Sequence, residues 1–265
     1  MSEQFKAGES GLLVVFMHPG DESLPTFHDW YDTEHVPLRI ERFPTFRSAV
    51  RYAVTSTTLS HSSLPETTWG ALYTISDNSV FAHTSYTSLR TQRSPREAEL
   101  FTRLGVVDRR IYRLEYDSDT DPSLSPPSPL GLEPQLAKDT PSYLVCNSVD
   151  IAPEAESEFN AWWEQEHVPM LAKVPGWRRS RRFTLIDNGL TGTHAKPGDA
   201  DQVPKNLGLH EWHSPPENHP AYKASLTTQW RAKVTGEDER NVLRRERKTC
   251  TVYRAWDPTA ALSHA

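Results

Sequence analysis

At 265 residues and 30.1 kDa the chain has room for two ordinary domains or one large one, and its 36% hydrophobic and 10% aromatic content suits a globular fold. A net charge of −6 argues against nucleic acid or an anionic membrane as partner, and the apolar run Leu12 to Met17 is far too short to span a bilayer. The first ten residues lack a secretory pattern, and Cys146 and Cys250 make no disulfide framework, so a reduced, cytoplasmic protein is expected.

In chain order, Leu12 to His18 is apolar and partly β-branched, and predicts a strand. A helix is expected from Pro25 to Arg42. The alternation of Phe46, Ser48, Val50 and Tyr52 with small or basic residues predicts a second strand. Ser56 to Glu66 reads as a Ser/Thr-rich loop, Thr68 to Ile75 as a strand, Ser79 to Leu104 as a helix, and Arg110 to Tyr116 as a strand. Asp117 to Pro141 is rich in Pro, Ser and Asp and reads as a linker. The order then repeats: strand Ser142 to Val149, helix Pro153 to Lys173, strand Trp177 to Ile186 and a Gly/Asp/Pro-rich loop to Pro204. Strand Leu207 to His213, helix His219 to Val234 and strand Lys248 to Trp256 complete it. The expected organisation is therefore a βαββαβ unit over 1–117, a linker over 118–140 and a second unit over 141–265. The fold class is α+β, two tandem ferredoxin-like βαββαβ units whose facing sheets make a closed barrel with helices outside, an intramolecular pseudo-dimer.

The strongest sign of duplication is a repeated segment. Phe27 to Pro37 reads F-H-D-W-Y-D-T-E-H-V-P, and Phe159 to Pro169 reads F-N-A-W-W-E-Q-E-H-V-P, an offset of 167 − 35 = 132 residues. Phe27, Trp30, Tyr31, Glu34, His35 and Leu38 fall at helical intervals and paint one stripe. Phe159, Trp162, Trp163, Glu166, His167 and Met170 repeat it. Each histidine is thus turned inward among aromatic rings, with a proline two residues on that ends or bends the helix. Such a histidine is either a satisfied core residue or a tunable acid–base group. Glu34 and Glu166 point about 100° away from it and are expected to cap, pair with an arginine or hold a neighbouring backbone group.

The two F-x-x-W-[YW]-x-x-E-H-V-P segments, the apolar strand before each and the strand L-G-L-H-E-W resemble the EthD-like branch of the dimeric α/β-barrel superfamily. The resemblance covers both halves and implies a fused version of a unit that usually dimerises. It further implies a pocket between helix and sheet and chemistry without a cofactor on a polyphenolic or polyketide-like small molecule. Decarboxylation, cyclisation or isomerisation is the first expectation, with His167 and His35 as general acid/base. Cofactor-free oxygenation of a hydroquinone and non-catalytic binding of hydrophobic small molecules are the alternatives. A folded monomer is expected, with further association optional.

The second half is expected to hold the principal site. Aligned by their leading aromatics, Phe46, Ser48, Val50 and Tyr52 correspond to Trp177, Arg179, Arg181 and Phe183. Arg179 and Arg181 either snorkel to water at an edge or bind a substrate anion beside His167. His210, Tyr31 and Trp163 complete the expected substrate wall. His210, Glu211, His213 and His219 also raise a metal reading, but a strand sends His210 and Glu211 to opposite faces, so no metal is expected. No haem motif, phosphate loop, Ser-His-Asp order or dinucleotide fingerprint is present.

Overall fold

The computed structural model describes residues 4–124 and 140–257. Its strands are β1 (Gly11–His18), β2 (Ala49–Ser60), β3 (Trp69–Ile75), β4 (Val106–Asp117), β5 (Tyr143–Ile151), β6 (Trp177–Thr191), β7 (Asn206–Trp212) and β8 (Val242–Trp256). They close into one antiparallel barrel in the order β1-β3-β2-β8-β5-β7-β6-β4.

This corrects the expected fold class. The molecule is one closed eight-stranded barrel, not two ferredoxin-like α/β units set against each other as a pseudo-dimer. The finding that overturns it is the pairing across the halves. β2 runs beside β8 from Ala49↔Trp256 to Ser60↔Arg245, and β4 runs beside β6 from Val107↔Thr191 to Asp117↔Arg181. The strands are longer than their apolar patterns suggest, because the added residues find partners in the opposite half. Thr57 and Thr58, expected in a loop, pair with Lys248 and Arg247. Among the described strands closure leaves no edge open to another chain.

The unbroken apolar run of β1 now has a reason, since both of its faces are covered. Leu12, Val14 and Phe16 join Tyr52, Tyr112, Cys146, Phe183 and Cys250 inside the barrel. Leu13, Val15 and Met17 pack outward against Phe27, Trp30 and Tyr31. Each such burial contributes about 1.5–3 kcal/mol. Both cysteines are free and buried. The middle of the barrel is apolar and aromatic, and charged groups lie to either side of it. Arg110 there pairs with Asp108 and Glu246, and Lys248 with Glu246.

The helices lie outside. Ser23 caps α1 (Leu24–Trp30) by accepting the Thr26 N–H. The helix does not end before Pro37. It widens into a π turn over Tyr31–His35, in which the Val36 N–H reaches the Tyr31 carbonyl, and continues as α2 (Val36–Arg42). The expected helix from Ser79 to Leu104 is broken into a 3₁₀ turn (Asn78–Ala82), α3 (Thr84–Thr87) and α4 (Pro95–Phe101), because Ser94-Pro95 starts a new helix instead of extending an old one. In the second half α5 (Pro153–Trp162), a π turn (Trp163–His167) and α6 (Val168–Leu171) repeat the arrangement. α7 (Pro220–Ser225) and α8 (Gln229–Thr235) follow, again as two helices where one was expected.

Ser118 to Leu124, expected as the start of a linker, packs on the barrel: Ser118 accepts the Ser180 N–H, and Asp119 pairs with Arg178 and Arg179. Residues 125–139 of the expected linker lie outside the described residues. Among the described residues no helix is long and apolar enough to cross a membrane.

Candidate active site between helices and barrel

Among the described residues two cavities lie between helices and barrel wall, one behind the helices of each half. The first, of about 290 Å³, is bounded by β1, β4, the end of β6, α2, α3 and α4. His35 enters it from the π turn, packed on Trp30 and Tyr31 with ring centroids 4.6 and 4.7 Å away. A π turn is a frequent local device at functional sites, and here it sets the angle at which the imidazole meets the cavity. His35 Nδ1 lies 2.9 Å from Glu97 Oε1. Among the described residues no hydrogen bond is made to Nε2.

Electrostatics fixes the tautomer. Burial, helped by the charge of Arg39, pushes His35 down to about 4, although Glu97 opposes the shift. Burial would raise Glu97, but the hydrogen bond and charge of His35, with Arg39 and Arg93, outweigh it and the net shift is down. At neutral pH the imidazole is therefore neutral and the carboxylate ionised. Nδ1–H donates to Glu97, and Nε2 carries a free lone pair. Arg39, Arg90, Arg93 and Arg109 line the same cavity against two carboxylates, Glu97 and Asp187, which leaves a surplus of positive charge.

α4 is placed by a small network. Ser94 caps it by accepting the Glu97 N–H and donates its hydroxyl to Glu34. The glutamate beside the histidine in sequence thus holds the helix that carries the histidine's partner. In the second half Thr228 caps α8 by accepting the Arg231 N–H and donates to Glu166.

The second cavity, of about 370 Å³, is walled by Trp162, Trp163, Trp212 and Tyr222, with His167 and His210 on its surface. His167 stacks on Trp162 at 4.8 Å and meets His210 edge-on at 5.6 Å. Burial again takes His167 down to about 4; the Ser225 backbone opposes this and Arg231 adds to it. His210 is also held well below the ordinary imidazole range, by burial first and then by His167 and Arg247. Trp177 Nε1 donates to Ser180 Oγ, which lies 2.8 Å from His210 Nδ1. Gly208 lets Trp163 lie close on β7, since a Cβ there would stand 3.3 Å from the indole Nε1.

The structure brings together His167, His210 and Trp163. It places His35 in a separate cavity and sets Tyr31 behind it, buried against His35 and under the Arg51 guanidinium. Arg179 and Arg181 are not beside His167, and neither reaches water. Both point into the barrel, where Arg179 Nε donates to Glu211 Oε2 at 2.6 Å and Arg181 Nη2 to Oε1 at 2.9 Å. Burial would raise Glu211, but these two charges hold it at about 2. Among the described residues no group of three or more His, Cys, Asp or Glu side chains is placed to hold a metal ion. Sequence reasoning missed Glu97. Its one signal was the pattern Ser94-x-x-Glu97 at a helix start, which reads as a cap and hides the outward reach to His35.

No family model matches the sequence, and no curated protein matches it. Solved structures do. An anthrone oxidase-like protein aligns at TM-score 0.52 with 11% identity, over 95% of this chain and 94% of that one. A provisionally named monooxygenase from Fusobacterium nucleatum subsp. nucleatum aligns at TM-score 0.52 with 9% identity, over 94% of this chain and 95% of that one. At such identity the likeness is one of fold alone.

Proposed function

We propose that the chain is an enzyme of the monooxygenase type that takes a proton from a small phenolic aromatic and passes the resulting anion to dioxygen, with His35 as base. The observation that carries this reading is the His35–Glu97 dyad, 2.9 Å between Nδ1 and Oε1, with Nε2 free at an arginine-lined cavity.

An imidazole whose conjugate acid sits near 4 takes a phenolic proton only where the phenolate is itself strongly stabilised. The guanidinium groups of Arg39, Arg90, Arg93 and Arg109 would do this, and Glu97 would balance the imidazolium that forms. The anion of an anthrone-like ring is electron-rich at the carbon opposite the oxygen. Reaction there balances as a CH₂ group and O₂ giving a carbonyl and water, with His35 able to return the proton. The names of the two neighbours agree with an oxygenase and lend nothing to decarboxylation or cyclisation. The EthD-like resemblance and a tandem origin rest on the two repeated segments.

Oxygen consumption with anthrone and with simple hydroquinones tests the proposal. Uptake that accompanies product and is lost in His35→Ala supports it. Turnover of the same compounds without oxygen would assign the dyad to a non-oxidative proton transfer instead. No turnover of any phenolic compound would leave a binder.

A further inference from the structure

The second cavity repeats the placement of the first and not its chemistry. Arg231 stands three residues past the capping Thr228, as Glu97 stands three past Ser94. No carboxylate therefore orients His167 as Glu97 orients His35, and among the described residues His167 Nδ1 has no side-chain partner. We propose that this second cavity is a binding site for a flat aromatic carboxylate and not a second centre of proton transfer.

The walls argue for the ring. Trp162, Trp163, Trp212 and Tyr222 present broad apolar faces, and aromatic faces of this kind stack favourably on a planar ligand. The charges argue for the carboxylate. Arg231 and Arg245 share a single carboxylate, Glu239, at 2.8 and 2.7 Å, so this pair keeps one positive charge in excess. Arg247 is balanced by Glu217 at 3.3 Å, and Lys223 adds a further positive charge at the opening. Trp212 is fully buried, and its indole N–H has no acceptor among the described residues. A neutral aromatic would leave the guanidinium surplus and that N–H unmatched. A small inorganic anion would leave the indole walls uncovered. Binding of this kind requires no proton transfer in the first cavity.

The probe is 2-naphthoate, titrated into the full-length protein and followed by calorimetry and tryptophan fluorescence. Among the described residues three tryptophans line the second cavity and none lines the first, where Trp30 stands only behind His35, so quenching reports chiefly on the second. Naphthoate should bind at least about tenfold more tightly than neutral 2-naphthalenemethanol and than acetate, which is about one good charge contact. Arg231→Gln should weaken it by about tenfold, and Arg231→Lys by less. If Arg231→Gln lowers the melting temperature, Lys223→Gln on the exposed side of α7 should still weaken binding measurably. Equal affinity for the acid and the alcohol overturns the proposal. So does naphthoate binding that survives Arg231→Gln and is abolished by Arg39→Gln. These outcomes are read without turnover and stay separate from any failure of the oxygenase reading.

Discussion

Glu97 and Arg231 occupy the same place in two matching helix starts and set opposite charges beside two equally buried imidazoles. Exchanging the charge should therefore move the titration. Arg231→Glu should raise His167 from about 4 toward the ordinary imidazole range, because it removes one positive neighbour and supplies a carboxylate. Imidazole resonances followed by NMR from pH 3 to 8 would read this. An unmoved His167 would mean that α8 does not bear on the ring.

His35→Ala should lower turnover by about 10²- to 10⁴-fold, the usual range for a positioned base, while the melting temperature stays within a few degrees. Glu97→Gln should leave kcat reduced by about tenfold or more with KM little changed, since it disturbs the tautomer and not the cavity. Retained turnover in His35→Ala, with loss in His167→Ala, would move the active site to the second half.

Stability should fall on mild acidification. His35 and His167 have folded values near 4 against an ordinary 6.5, so the unfolded chain binds protons first as pH drops. Their contribution is fully present above about pH 6.5 and is lost as pH falls through 4. A tenfold difference in proton affinity is worth about 1.4 kcal/mol, so each histidine accounts for about 3 kcal/mol at most. Urea midpoints between pH 7 and 4 should decline, and more shallowly in His167→Gln. Equal slopes in the two proteins would remove His167 from the account.

Glu211 bridges two buried guanidinium groups, so Glu211→Gln should cost about 3–5 kcal/mol, the usual penalty for breaking a buried pair. Arg181→Val should cost less, because Arg179 still pairs with Glu211. Denaturant unfolding measures both. If Arg181→Val instead left stability intact and raised KM for an anionic aromatic, the arginine would face the ligand after all.

The parts of the site that were legible in the sequence are those written as local periodicity. The stripe of Phe27, Trp30, Tyr31 and His35 has one geometric solution, and both histidines are buried on it. Glu34 and Glu166 were expected to cap, pair with an arginine or hold a neighbouring backbone group; each instead accepts the side-chain hydroxyl that caps another helix. Glu97 was not legible, because it reaches His35 from 62 residues away on a helix of seven. Arg179 and Arg181 do share one strand face. Alternation alone, however, does not say which face is the barrel interior. The lengths of β2, β4, β6 and β8 were hidden for the same reason, since polar residues such as Thr57 and Thr58 extend only when a distant strand pairs with them.

The pairing of Ala49 with Trp256 carries a consequence for biosynthesis. β2 leaves the ribosome long before its neighbour β8, the last of the described strands, and the barrel cannot close until that strand arrives. Contacts so far apart in the chain cost loop entropy early and slow the final step. For that interval β2 is an unpaired edge, the kind of surface on which nascent chains stick together. Its outer part, Thr55 to Ser60, has one large apolar residue, Leu59, among five hydroxyl-bearing ones. That composition offers little to a wrong partner and still satisfies the ladder once β8 emerges.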